Sequence, residues 1–149
     1  MVKNCKVLVL CSLFMVALVG CKDKEQPVNP YITPGNVEDP HWVLTVENDM
    51  SASMTAIVKV SFSQAEGSLA AFMDTTCCGI AEYKSEYGQY WLYISPATSA
   101  GGNVQLRFYS PSLKRIFDAQ ETITFRNDTQ LGTVSAPYTP TWVESPSKK

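Results

Sequence analysis

Few residues of this chain are of the types that carry out acid–base or nucleophilic catalysis. The only histidine, His41, lies between Pro40 and Trp42, where the first predicted strand begins. A catalytic triad also needs a positioned nucleophile and an orienting acid, and the sequence has no glycine-x-serine-x-glycine elbow. The acidic residues fall mostly at predicted turns and strand ends, which is typical of a solvated rim. We therefore predict that the protein is not an enzyme, with a small hydrolase as the weaker alternative.

The cysteines give no metal or redox motif, because no two of them have the C-x-x-C spacing of a zinc site. Cys77 and Cys78 are adjacent, and adjacent side chains of a strand point to opposite faces, so the two sulfurs should not meet. We expect one thiol in the core and the other near the surface, with a vicinal disulfide as the alternative. Calcium at the turn residues Asp49, Asp74 and Asp128 is a weak alternative without EF-hand spacing. No cofactor and no metal is predicted.

The best indication of a ligand is the aromatic segment "YKSEYGQYWLYI". If the aliphatic residues Leu92 and Ile94 face the core, Trp91 and Tyr93 project from the opposite face of the same strand. With Tyr87 they would offer flat rings with polar edges, which suit sugar stacking or protein recognition. The alternative is that this strand is buried on both faces or is covered by the aromatic tail "YTPTWV".

Strands must position these residues, because period-two alternation dominates the region after residue 40. In "MTAIVKVSF" the residues Met54, Ala56, Val58, Val60 and Phe62 share one face. Further short β-rich runs, "HWVLTVE" and "ETITF" among them, are separated by turn-forming segments. The pattern predicts an all-β domain: an antiparallel, immunoglobulin-like β-sandwich of about seven or eight strands. A small closed β-barrel is the alternative.

The N-terminus has the three parts of a secretory signal peptide. Lys3 and Lys6 precede the apolar run "VLVLCSLFMVALV", whose 13 residues would span about 20 Å as a helix. That length is well short of the ~30 Å hydrocarbon core of a bilayer. A charged start, a short apolar run and a small residue before the break predict a signal peptide over residues 1–20.

The residues Leu18-Val19-Gly20-Cys21 resemble a lipobox, the motif of bacterial lipoproteins. The resemblance implies cleavage before Cys21, a diacylglycerol on its thiol and an acylated amino group. Several acyl chains anchor a protein durably to a membrane. The following Lys22-Asp23-Lys24-Glu25 resembles the export signal of Bacteroidetes surface lipoproteins, although Lys24 interrupts the acids. This second resemblance implies the outer leaflet of the outer membrane, with a periplasm-facing anchor as the alternative.

Three segments of the domain resemble a β-sandwich module of Bacteroidetes surface lipoproteins: "LAAFMDTTCCGIA", "VQLRFYSPSLKRIF" and "ITFRNDTQLGTVSAPY". The resemblance covers about Val46 to Tyr138, and it implies fold and location without an activity. Cys78 stands where the pattern usually has an arginine. Asp74-Thr75-Thr76 also resembles the short O-glycosylation motif of Bacteroidetes envelope proteins, which would place a sugar on Thr75.

The composition along the chain indicates the domain organisation. We expect a lipid anchor and proline-rich linker over residues 21–40, a β-sandwich over 41–144 and a polar tail over 145–149. The chain is 45% hydrophobic and 17% charged, which indicates a packed globular domain. The formal charge of −2 becomes −4 once Lys3 and Lys6 are removed, so a nucleic-acid partner is not expected.

Together these features predict an outer-membrane-anchored surface lipoprotein. We expect it to act as a non-catalytic binding or accessory module for a glycan or a protein. The alternative from another class is a periplasm-facing structural subunit of an envelope assembly.

Overall fold

A computed structural model describes residues 35–45, 52–62, 67–96 and 102–146. Within these ranges the chain forms nine strands and no helix, which confirms the predicted all-β class. None of the described residues belongs to a helix long and apolar enough to cross a membrane. The strands are β1 Met54–Val58, β2 Ser68–Met73, β3 Thr76–Lys84, β4 Gln89–Ile94, β5 Asn103–Ser110, β6 Arg115–Ala119, β7 Ile123–Thr124, β8 Thr129–Leu131 and β9 Trp142–Glu144.

The strands form one strongly curled sheet with the shape of a half-barrel. Its order is β8-β1-β4-β3-β2-β5-β6-β9, and β7 pairs with the start of β5. All neighbouring pairs are antiparallel except β1 and β8, which are parallel, so the sheet is mixed. The prediction of a purely antiparallel sheet was therefore wrong. The two edge strands of this order, β8 and β9, are not paired with each other, so the described sheet is not a closed barrel.

Strand β3 is the place where the sheet bends. Its first half pairs with β2 and its second half pairs with β4. The register changes within the first half: Gly79 faces Ala71 while Cys77 faces Phe72, which leaves Cys78 as an extra residue. Such a β-bulge bends its strand and increases the local twist. The bulge therefore helps to turn one half of the sheet over the other.

The core lies inside the curl, and its residues alternate along the strands as predicted for β1. Phe108 of β5 is fully buried at the centre, with Tyr90, Phe62 and Trp142 around its ring at centroid distances of 5.6, 5.8 and 6.1 Å. Such aromatic contacts add to the free energy gained by apolar burial. The other fully buried core residues include Ala56, Val58, Leu69, Ile94, Val104 and Leu106.

The C-terminal segment, residues 129–144, contacts both edges of the curled sheet. It begins as β8 beside β1, turns away at Gly132 and returns to β1 at Tyr138. The Tyr138 N–H donates to the Ile57 carbonyl at 2.8 Å, and the Lys59 N–H donates to the Tyr138 carbonyl at 2.8 Å. The segment then ends as β9, which pairs with β6. One short stretch of chain thus links the β1 side of the half-barrel to the β6 side.

A second segment, residues 35–45, crosses the outer face of β2 and β5. The Gly35 N–H donates to the Leu113 carbonyl at 2.7 Å. Trp42 lies edge-on to Phe72 with ring centroids 5.6 Å apart. The predicted strand "HWVLTVE" is not a strand in its described part, residues 41–45. Residues 35–40 were assigned to the linker by sequence, yet they hydrogen-bond to the domain, whereas residues 1–34 lie outside the described ranges.

Candidate functional site

Strand β4 places two aromatic side chains on the outer face of the sheet. Tyr90, Leu92 and Ile94 point inward and are almost fully buried. Because side chains alternate along a strand, Trp91 and Tyr93 point outward, and they are 40% and 36% exposed. β4 is hydrogen-bonded to β1 and to β3, so this aromatic face stands on a central strand whose backbone is held on both sides.

The turn between β3 and β4 adds a third ring. The Tyr87 N–H donates to the Lys84 carbonyl at 3.1 Å, and Gly88 closes the turn with φ +62°, a conformation that favours glycine. This turn lays the Tyr87 ring almost parallel to the Trp91 ring, with an interplanar angle of 11° and centroids 6.2 Å apart. Tyr87 is 49% exposed. We call Tyr87, Trp91 and Tyr93 the aromatic platform.

Two charged side chains of β3 flank the platform. Glu82 faces Trp91 directly across the β3–β4 pair. The Lys84 ammonium forms an ion pair with Glu82 and lies 5.4 Å from the centroid of the Trp91 ring. An ammonium over an indole is attracted to the negative ring face, so Lys84 helps to fix the orientation of Trp91. The platform thus combines flat apolar area with one donor and one acceptor at its border.

A loop of the C-terminal segment forms the other border. The Gln89 side-chain amide donates to the Val134 carbonyl at 2.8 Å, and Gln89 is buried although it lies on the outward side of β4. Ile57 of β1 lies opposite Trp91 and is also buried. On the outer face of the sheet, the platform therefore borders two buried residues, Gln89 and Ile57.

The other residues that the sequence singled out are not brought to this platform. Thr75 is exposed in the turn between β2 and β3, where Asp74 has φ +54°. The His41 side chain is exposed, and its backbone N–H donates to the Asp39 carboxylate at 2.9 Å. Cys21, the predicted lipidation site, lies outside the described ranges. No group of three potential metal ligands occurs among the described histidines, cysteines and acids.

The two adjacent cysteines are free thiols on opposite faces of β3. Cys78 lies in the main core, and Cys77 lies under Trp42 on the outer face. Both are buried, so the expectation that one thiol would lie near the surface was wrong; the segment containing Trp42 covers it. Burial raises the pKa of both thiols, that of Cys78 to about 11. They are therefore protonated and weakly nucleophilic near neutral pH.

Sequence reasoning missed a cleft on the outer face of β5 and β6, next to the segment 35–45. It has a volume of about 520 Å³. Trp42 lines it together with two ion pairs, Arg107–Asp118 and Arg115–Glu144. The only signal in the sequence is the period-two alternation of "VQLRFY", which places Arg107 on the outward face. The sequence does not give its partner, because that depends on the pairing of β5 with β6.

The chain was compared with known protein families, with curated proteins and with solved structures, and none of the three comparisons found a match. The chemistry of the described residues is thus the basis for any functional assignment.

Proposed function

We propose that this protein is a surface lipoprotein of a bacterial outer membrane that acts as a non-catalytic binding module for a glycan or a partner protein. The observation that supports binding is the aromatic platform on β4. The lipobox ending at Cys21 and the charges after it support the location. The three segments that resemble a lipoprotein β-sandwich module support assignment of the domain to that immunoglobulin-like class.

The platform suits a pyranose ring better than it suits a small polar molecule. One face of many sugars carries only C–H groups, which pack against the negative face of an aromatic ring. The Tyr87 and Trp91 rings are stacked almost parallel and both stay partly exposed, so each can offer ring surface to a sugar. Glu82 and Lys84 lie where an acceptor and a donor could bind the hydroxyl groups at the edge of the sugar.

Rigidity also favours this site. Trp91 lies on a strand that is paired on both sides, and its ring contacts Tyr87 and Lys84 before any ligand arrives. A pre-ordered side chain loses little conformational entropy on binding, which improves affinity. Aromatic anchors of this kind commonly dominate the binding energy of an interface.

A glycan-binding experiment with matched variants tests the platform. The full chain in detergent micelles would be screened against neutral oligosaccharides by tryptophan fluorescence and titration calorimetry. Trp91→Ala should abolish the binding of any glycan that is found, and Trp91→Phe should retain part of it because a flat ring remains. Val143→Ala, a change of similar exposure on β9, is the control and should leave binding intact.

A neutral oligosaccharide that binds equally to the native chain and to Trp91→Ala would contradict the assignment of the platform. If no glycan binds, pull-down from envelope extracts with the native chain and with Trp91→Ala tests the protein-ligand form of the proposal. Loss of a specific partner with Trp91→Ala and its retention with Val143→Ala would support that form.

The location is tested separately on intact cells. A protease that cannot cross the outer membrane should remove the domain from cells that make the native chain, while a periplasmic control protein stays intact. Protection of a domain that the same protease cleaves in lysed cells would favour the alternative, a periplasm-facing subunit. Cys21→Ala should release the protein from the membrane fraction, because the thiol that carries the diacylglycerol is gone.

A further inference from the structure

The cleft beside the segment 35–45 contains an arginine held in one orientation. The Arg107 guanidinium carbon lies 4.8 Å from the centroid of the Phe72 ring, so the planar group lies against an aromatic surface. Its Nε is 3.2 Å from Asp118 Oδ1, and both atoms are inaccessible to solvent. These two contacts fix the plane and the inner edge of the guanidinium.

The outer edge of the same group faces the cleft. The Arg107 side chain is 41% exposed, although its Nε is buried. Among the described residues, the guanidinium has an ion pair with Asp118 and lies against the Phe72 ring. A guanidinium has five N–H donors in a rigid fork, and the Nε of Arg107 is the buried one, held beside Asp118 in an ion pair. The donors on the two terminal nitrogens are therefore available to a planar anion that enters the cleft.

The charges in the cleft select among anions. Arg107 and Arg115 are each paired with a carboxylate, Asp118 and Glu144, so the four groups sum to zero. A ligand residue with several negative charges of its own, such as a sugar bisphosphate, would be repelled by the two carboxylates. A residue with one carboxylate and several hydroxyl groups fits better, because the guanidinium binds the carboxylate and the acids accept from the hydroxyls.

We propose that this cleft binds a uronic acid residue of an acidic saccharide. The uronate carboxylate lies against the outer edge of Arg107, and the sugar hydroxyls donate to Asp118 and Glu144. Trp42 lines the same cleft and offers apolar surface to the ring. The volume of about 520 Å³ lies in the range of small-molecule sites and accommodates one or two sugar residues.

This inference goes beyond the proposed function, because no residue of the aromatic platform lines the cleft. The platform stands on β4, and the cleft stands on β5, β6 and the segment 35–45. A variant at one site therefore leaves the other unchanged. Failure of uronate binding would leave the assignment of the platform untouched, and the reverse also holds.

The test is calorimetric titration of the full chain in detergent micelles with trigalacturonate. Arg107→Gln should weaken binding about tenfold or more, because a hydrogen bond to a charged group is lost. Arg107→Lys keeps the charge but lacks the planar fork, so it should also weaken binding. Arg126→Gln, at an exposed arginine outside the cleft, is the control and should bind normally. Unfolding curves establish that each variant is folded.

The chemistry of the ligand is tested with two further probes. The trimethyl ester of trigalacturonate keeps the sugar rings but has no carboxylate, and it should bind at least about tenfold more weakly. A short peptide with a free C-terminal carboxylate should bind more weakly than trigalacturonate. Equal binding of acid and ester, an unchanged affinity in Arg107→Gln, or no binding of trigalacturonate at millimolar concentration would each overturn the proposal. Tighter binding of the peptide would overturn the saccharide assignment.

Discussion

Replacement of Gly132 by alanine should weaken the domain more than the same change at Gly88. Both glycines have positive φ, +74° and +62°, so alanine at either position costs about 1 kcal/mol from backbone strain. At Gly88 nothing lies within 4 Å of the added Cβ. At Gly132 the Cβ would lie 2.6 Å from the Tyr138 nitrogen and 2.7 Å from the Ile57 carbonyl oxygen.

Those two backbone atoms are the donor and the acceptor of the hydrogen bond that returns the C-terminal segment to β1. Loss of this bond costs about 1 kcal/mol, and moving the backbone apart costs about 1 kcal/mol more. Gly132→Ala should therefore lower the free energy of unfolding by about 3 kcal/mol, and Gly88→Ala by about 1 kcal/mol.

Urea denaturation followed by tryptophan fluorescence measures both values. With an m value of about 1.5 kcal/mol per molar, the midpoint should fall by about 2 M for Gly132→Ala and about 0.7 M for Gly88→Ala. The m value itself should not change. Equal shifts for the two variants would refute the reasoning, because they would mean that the close approach at Gly132 contributes nothing.

Three further outcomes are expected from the core and its thiols. Phe108→Ala should lower the free energy of unfolding by about 3–5 kcal/mol, because the fully buried ring contacts three other aromatic residues. The same urea denaturation measures this loss. A loss under about 1 kcal/mol would contradict the central position of Phe108. In the native state, Cys77 and Cys78 should resist a thiol reagent, and in urea both should react. Mass spectrometry of the labelled chain measures the extent of reaction. Rapid labelling of the native chain would contradict the burial of the two thiols. The free energy of unfolding should also fall as the pH rises from 9.0 to about 11. Over this range the unfolded chain has lost the Cys78 proton, whereas the native chain keeps it because burial raises the pKa of this thiol. Cys78→Ala should flatten that part of the curve of stability against pH, and an unchanged slope would argue against the raised pKa.

Local patterns in the sequence predicted the strands whose side chains alternate. The inward face of β1 and the outward direction of Trp91 and Tyr93 follow from period two alone, and the structure has both. Sequence reasoning could not give the parallel pairing of β1 with β8, because those strands are more than 70 residues apart and nothing local encodes their contact. The turn-forming composition of "RNDTQLG" also hides β8, and the aromatic tail "YTPTWV", in which β9 begins, shows no strand alternation.

The two features of the candidate sites that the sequence did not predict have the same physical cause. Cys77 is buried because Trp42, in the segment 35–45, covers it. Arg107 has a fixed orientation because the register of β5 and β6 places Asp118 beside it. Each feature depends on which distant segments pack together, and hydrophobic periodicity carries no information about that choice.

The path of residues 129–144 has a consequence for how the chain is made. Synthesis proceeds from the N-terminus, so β1 to β7 emerge before the segment that links the two sides of the half-barrel. Until Tyr138 and β9 have emerged, the outer edges of β1 and β6 lack their partners. Unpaired edges of this kind invite association with other chains. The domain thus completes its fold only after β9 has left the ribosome, and until then the earlier strands stay open to chaperones.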